Sequence, residues 1–395
     1  MKLRENTILI ILVFALIGFG MVMIYSTSAI YASKRYNDYL FFFKKSVIFS
    51  FISLIGLAVG FFINYRFLGR LSLTLFILSF IALFLVFTPF GVEAGGARRW
   101  VNFHFFAFQP SEIMKFISVL FLSYFMASRL EHRKSFSGFF LPILFIIGMS
   151  TLPILIEPDF GTTALVGTVG ILLIIAAGSR LRYVFSLFIA VLPFVYFMIV
   201  QTPYRLKRVM VFLNPWKEAR STGYQIIQSF IAFQSGGWNG LGLGGSRQKL
   251  FYLPEAHTDF IFSIIGEELG FIGTLSVLIV FAMFIFFGLK IAVRCENPFG
   301  KLLAFGLVSM IGLQAFLNMG VVTGILPTKG LPLPFISYGG TNLVMTMIAI
   351  GVLLNISRLS VQKQKKITVI QERNIRRKRK VESRNIIKQQ YYEKR

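Results

Sequence analysis

Ten apolar stretches separated by polar segments divide the chain, at about residues 8–30, 45–64, 71–90, 110–127, 138–156, 159–178, 183–200, 259–289, 302–325 and 334–355. Each is close to or above the roughly 20 residues that a helix needs to cross a bilayer core. The pattern predicts an all-α polytopic membrane protein of about ten transmembrane helices. Pro158 and Gly161 split one long apolar region into the fifth and sixth of these. The first stretch follows Lys2 and Arg4 and runs too far for a cleaved signal segment, so it reads as a retained span. The longest polar interruption, about 201–258, lies between the seventh and eighth spans and predicts a large extracytoplasmic loop. Residues 1–357 then form the membrane domain, and 358–395 a basic tail.

Composition agrees with a membrane assignment. Of 395 residues 55% are hydrophobic and only 14% charged, whereas an ordinary soluble domain carries about a quarter charged residues. The single Cys295 excludes an internal disulfide, and three histidines argue against a His-rich metal site. The 41 Lys and Arg against 16 Asp and Glu leave a net charge of +25, and its placement orients the chain. With both termini in the cytoplasm, the N-terminus and short inner loops hold twelve basic residues before the tail is counted and the short outer loops seven, which satisfies the positive-inside rule; the 201–258 loop is long enough to be weakly constrained by it. The tail adds 14 Lys or Arg against three acids. Its run Arg376-Arg377-Lys378-Arg379-Lys380 resembles a nucleic-acid footprint, but a juxtamembrane polybasic segment is more simply drawn to anionic lipid, and no nucleic acid is expected as a partner.

Polar residues inside or beside a membrane are costly, and here they gather toward the outer end. Arg98, Arg99 and Trp100 precede the fourth span, which opens with Gln109-Pro110-Ser111-Glu112. Lys115 lies one helical turn beyond Glu112, either as its local ion-pair partner or as an anion ligand. Asp159 stands where it would cap the sixth span, with a place in a shared polar cavity as the alternative. The long loop carries a glycine-rich run, 235–245, followed by Arg247 and Lys249. Exposed backbone N–H groups with two cations suit phosphate, although the run is neither a Walker A nor a dinucleotide fingerprint. Glu255 and Asp259 are four apart. A helix after Pro254 would put both carboxyls on one face, where repulsion and burial raise one pKa toward that of a general base; alternatively Thr258 or Asp259 merely caps the eighth span. The adjacent acids Glu267 and Glu268 lie deeper, and at least one should face a polar interior or pair with a base such as Lys115. Three prolines, Pro327, Pro332 and Pro334, break the backbone before Ser337 and predict a loop closing an outer-leaflet site.

Together these segments resemble the SEDS family of bacterial cell-wall polymerases, from Met21-Val22-Met23-Ile24-Tyr25-Ser26 to Asn355-Ile356-Ser357-Arg358, most specifically in 255–270 and 324–340. Ser246-Arg247-Gln248-Lys249-Leu250-Phe251-Tyr252 and Pro327-Thr328-Lys329-Gly330-Leu331 look like the division branch of that family rather than its elongation branch. The resemblance implies a peptidoglycan glycosyltransferase of the cell inner membrane, concentrated at the septum and acting on lipid II. It implies Asp259 as general base with Glu255 assisting. Arg98, Arg99, Lys115, Arg247 and Lys249, with Trp100, Ser337 and a divalent cation such as Mg or Mn, would bind the substrate and its leaving diphosphate. Glu112, Asp159, Glu267 and Glu268 would support the site. The implied partners are a class B penicillin-binding protein, an FtsI-like transpeptidase, and other divisome proteins. The chain departs from the family's habit at Glu157, where Gln is common, at Thr341-Asn342, and at Ala107-Phe108, where some members carry a basic residue. A lipid II flippase and a scaffold without activity are the competing readings; a flippase needs a midplane site open to both sides.

Overall fold

The computed structural model describes residues 2–94, 97–103, 107–201, 203–219, 223–328 and 330–362. The basic tail beyond residue 362, Gly95-Gly96 and Lys329 lie outside the described residues. Among the described residues twelve α-helices follow in order: α1 Lys2–Tyr36, α2 Phe41–Phe62, α3 Tyr65–Phe84, α4 Pro110–Ser128, α5 Leu141–Ile156, α6 Phe160–Ala176, α7 Leu181–Val200, α8 Pro203–Leu213, α9 Tyr224–Gly236, α10 Ile261–Arg294, α11 Pro298–Val322 and α12 Gly340–Gln362. Among the described residues eight are long and apolar enough to cross a membrane: α1 to α5, each extended where needed by a short adjoining turn, and α10 to α12. The sixth and seventh stretches form shorter apolar helices, Phe160–Ala176 and Leu181–Pro193.

Two features depart from the expected pattern. The segment from 201 to 258 is not simply a loop, since it contains α8 and α9. The polar stretch before α4 forms a small antiparallel sheet, β1 Gly91–Ala94, β2 Ala97–Asn102 and β3 Ala107–Phe108, in the order β1-β2-β3. Ala97 and Val101 turn inward from β2, while Arg98 and Asn102 turn outward.

Burial sorts the helices. Helices α4 and α11, which carry Glu112, Lys115, Gln314 and Asn318, are the most enclosed, and α2 and α3 face largely outward, as expected where lipid is as apolar as any side chain and only small or polar residues distinguish a buried face. On α2 that face is Ser46, Ser50, Ser53, Gly56 and Gly60. A Cβ on Gly60 would lie 2.5 Å from the carbonyl oxygen of Ile348, so α2 and α12 are in near backbone contact.

The long α10 is broken at Gly270, where φ is 65° and ψ −162°. Glycine-rich chain fills the break. The N–H groups of Leu241 and Gly242 donate to the carbonyls of Glu267 and Glu268 at 3.0 and 2.9 Å, while those of Phe271 and Ile272 donate to Gly237 and Trp238 at 2.8 and 3.2 Å. Four groups that a continuous helix would pair with one another are thus satisfied by a loop. Glycine is required on both sides, because a Cβ on Gly240 would stand 2.2 Å from the Glu268 carbonyl oxygen and one on Gly270 2.5 Å from the Gly240 nitrogen.

Candidate active site

The turn that ends in Asp259 is built by three successive carbonyls. Tyr338 N–H donates to His257 O at 3.0 Å, Ser337 Oγ to Thr258 O at 2.6 Å and Asn318 Nδ2 to Asp259 O at 2.8 Å. Asn318 also donates to Leu331 O at 2.7 Å, and Gln314 to Pro332 O at 2.8 Å. Two amides on α11 therefore fasten the proline-rich segment 326–339 against the turn. This is where irregular backbone at the membrane edge finds its partners. His257 packs among the rings of Tyr31, Phe42 and Tyr338, with the nearest centroid at 4.6 Å. Burial holds its imidazole below the usual value.

Residues 251–260 are turns rather than helix, and Glu255 has φ 55°. The expectation that Glu255 and Asp259 share a helical face therefore fails: Pro254 and a left-handed Glu255 stop a helix before it starts. The capping alternative fails too, because α10 begins at Ile261 with Phe260 at its N-cap and no side-chain cap bond. Glu255 is exposed and accepts from Thr258 Oγ1 at 2.7 Å.

Asp259 is half-buried, and among the described residues nothing donates to its carboxyl. Burial first, then the charges of Glu255 and Asp159, push it up to about 7, against the pull of Arg99 and Arg208. A carboxyl of that pKa serves as a general base near neutral pH. Gly330 lies directly over it: a Cβ there would be 2.9 Å from Asp259 Oδ2.

The groups acting on Asp259 come from three other elements. Asp159 caps α6, accepting from Thr162 N at 3.0 Å, Thr162 Oγ1 at 2.9 Å and Gln109 Nε2 at 3.4 Å. Arg99 on β2 donates through Nε to Glu157 O at 3.3 Å and through Nη2 to Pro158 O at 2.6 Å. Arg208 on α8 donates to Thr328 O at 3.0 Å. Sequence reasoning did not single out Arg208, although it closes the conspicuous basic run Tyr204-Arg205-Leu206-Lys207-Arg208. Nor did it find Asn318 or Gln314, amides whose signal was only their position in an otherwise apolar span. Arg98 and Arg247 are exposed, and Trp100 is half-exposed opposite Val92.

Two expected substrate ligands are committed elsewhere. Lys115 pairs with Glu112 at 2.7 Å and donates to Gln314 Oε1 at 2.7 Å, while Asn342 donates to Glu112 at 2.8 Å; both charged side chains are 3% exposed. Lys249 pairs with Glu268 at 2.8 Å, and Ser26 Oγ donates to both oxygens of Glu268. Glu267 accepts from the Ser246 hydroxyl and from the N–H groups of Arg247 and Gln248 at 2.9 and 3.3 Å. The adjacent acids are thus satisfied by segment 246–249, not by Lys115. Buried charges of this kind persist because they are paired and hydrogen-bonded, which leaves neither lysine free for a diphosphate. Ser337, expected to touch substrate, has its hydroxyl occupied between Leu333 N and Thr258 O. Among the described residues no three His, Cys, Asp or Glu side chains converge as metal ligands.

Residues 7–362 match the profile of the FtsW/RodA/SpoVE family, described as cell cycle proteins. The chain is 42% identical over 355 residues to the probable peptidoglycan glycosyltransferase FtsW of Geobacter metallireducens, covering 90% of this chain and 95% of that protein. It is 41% identical over 362 residues to the stage V sporulation protein E of Bacillus subtilis, covering 91% and 98%. A chain of a solved peptidoglycan synthase complex that coordinates polymerization and crosslinking superposes with a TM-score of 0.75 at 26% identity, covering 90% of this chain and 98% of that one. The rod shape determining protein RodA of Thermus thermophilus shares the fold at a TM-score of 0.65 and 24% identity, with 89% and 95% covered.

Proposed function

The chain belongs to the FtsW/RodA/SpoVE family of cell cycle proteins, and from that premise we propose that it is a peptidoglycan glycosyltransferase of the division type, polymerising lipid II in the cytoplasmic membrane at the septum. The names of its relatives favour the division branch over the elongation branch. The observation that carries the chemistry is Asp259: a carboxyl with no donor among the described residues, raised to about 7, on a turn braced at three consecutive carbonyls.

Asp259 takes the proton from the C4 hydroxyl of the acceptor GlcNAc as its oxygen attacks the anomeric carbon of the MurNAc on the growing chain. The new C–O bond forms on the face opposite the leaving group, with inversion. The old bond from the anomeric carbon to the diphosphate oxygen breaks, and its electron pair leaves with the lipid diphosphate. Arg99 and Arg208, whose fields already reach Asp259, stabilise that developing charge, with Arg98 and Arg247 on the exposed approach. A divalent cation accompanying the diphosphate belongs, in this scheme, to the substrate, and no step depends on it. Glu255 keeps the Asp259 pKa high.

The likeness to a chain of a polymerising and crosslinking complex supports a penicillin-binding protein as the working partner. The test is polymerisation of lipid II by the purified protein with its cognate partner, beside Asp259→Asn. Glycan chains from the wild type and none from the variant are expected; equal output from both removes Asp259 from the mechanism. Movement of lipid II across vesicles without polymer would replace the enzyme with a flippase.

A further inference from the structure

Glu157 is a buried carboxyl with nothing to bond to among the described residues. It follows the last turn of α5, is 1% exposed, and neither of its oxygens has a hydrogen-bond partner among those residues. Two charged groups face it, Asp159 at the start of α6 and Arg99 on β2. The way Arg99 binds is informative. A guanidinium beside an ionised carboxylate normally takes it as a two-pronged partner, yet Arg99 spends its Nε and Nη2 on the carbonyl oxygens of Glu157 and Pro158 instead. That is the arrangement a neutral carboxyl leaves behind. The electrostatics agree: burial, then the charge of Asp159, push Glu157 up to about 8, with Arg99 opposing.

We propose that Glu157 is a positioning residue for Arg99, whose neutral form leaves the guanidinium charge for the substrate diphosphate and whose ionised form captures that guanidinium and weakens diphosphate binding. The inference rests on the placement of the diphosphate near Arg99 given above. It makes the affinity for the lipid, and not only the chemistry, sensitive to pH. Asp259 must lose its proton for catalysis and Glu157 must keep its own for binding, which confines activity to a window between the two.

The experiment measures binding of lipid II to the full-length protein in detergent, with Asp259→Asn as background so that nothing turns over. Both phosphates of lipid II are strongly acidic and stay ionised from pH 7 to 9, so a change in affinity over that range that disappears with the Glu157 side chain originates at Glu157. In the background variant Kd should rise about tenfold from pH 7 to pH 9, the effect of one added charge beside Arg99. Adding Glu157→Gln should hold the change within twofold, and Glu157→Ala should give the same flat profile, so that failure of either variant to fold leaves the other. A tenfold rise that persists in both, or no rise in the background, overturns the inference. Arg99→Ala separates it from the reading beneath: if that variant binds lipid II at pH 7 as tightly as its background, the diphosphate is not at Arg99.

Discussion

The side-chain amide of Asn318 donates to the backbone carbonyl of Asp259 at 2.8 Å, joining the middle of α11 to the turn that carries the acid. The same nitrogen reaches Leu331 O. Asn318→Ala removes the donor from both carbonyls, a loss of about 1–3 kcal/mol. The turn should then drift, so kcat for lipid II polymerisation should fall at least about tenfold while KM changes little, a split that steady-state kinetics resolves.

Activity should climb with pH through about 7. The folded pKa of Asp259 is raised from 3.8 to about 7, so below that value the group holds its proton and has no capacity as a base. Asp259→Asn should lower kcat by about 10²–10⁴. Because the charge of Glu255 helps to raise Asp259, Glu255→Gln should move the midpoint of the rising limb to lower pH. A midpoint that stays or moves up would dissociate the two acids.

Lys249→Met strands Glu268 in a dry interior, which should cost about 3–5 kcal/mol and show as a lower Tm. The double variant Lys249→Met with Glu268→Met should recover most of it. Lys115→Met should behave alike through Glu112. If it raised KM for lipid II and left Tm unchanged, the lysine would be a substrate ligand after all.

Gly330→Ala tests crowding at the acid. Its methyl group would sit 2.9 Å from Asp259 Oδ2 at an exposed position, so polymerisation should drop about tenfold or more with Tm nearly constant.

Glu157→Gln should stabilise the protein at neutral pH. Glu157 titrates at 4.5 when unperturbed and at about 8 in the fold, so between those values the folded chain binds more protons than the unfolded one and stability declines as pH rises. Glutamine removes that decline, a gain on the order of 3 kcal/mol at pH 7 that vanishes below pH 4.5. Unfolding in detergent at pH 4 and pH 7 compares the two.

Eight of the ten expected spans emerge among the described residues as helices long enough to cross a membrane, because apolar length survives any tertiary arrangement, while the sixth and seventh are shorter. The site was legible only in part. Lys115 and Lys249 look, in one dimension, like cations awaiting an anion, and nothing local reveals that Lys249 meets Glu268 with Ser26 beside it, 223 residues away along the chain. The spacing of Glu255 and Asp259 would put both on one face of a helix, but a left-handed φ at Glu255, which rules that helix out, is invisible to periodicity. Asn318 and Gln314 carry no charge and sit in an apolar stretch, so their role emerges only when the carbonyls they serve are known. Glu157 drew notice as a departure from the family's habit. That it is buried without a partner depends on how α5, α6 and β2 converge.

The break in α10 gives the molecule a joint. The short arm, Ile261–Leu269, follows directly on Asp259 and carries the two buried glutamates; the long arm, to Arg294, belongs to the lipid-facing bundle. They are linked by one glycine and by four hydrogen bonds to a loop whose Trp238 is 72% exposed. The long arm and the loop thus meet the segment behind Asp259 at one junction, and a change in either has a single route of contact to it.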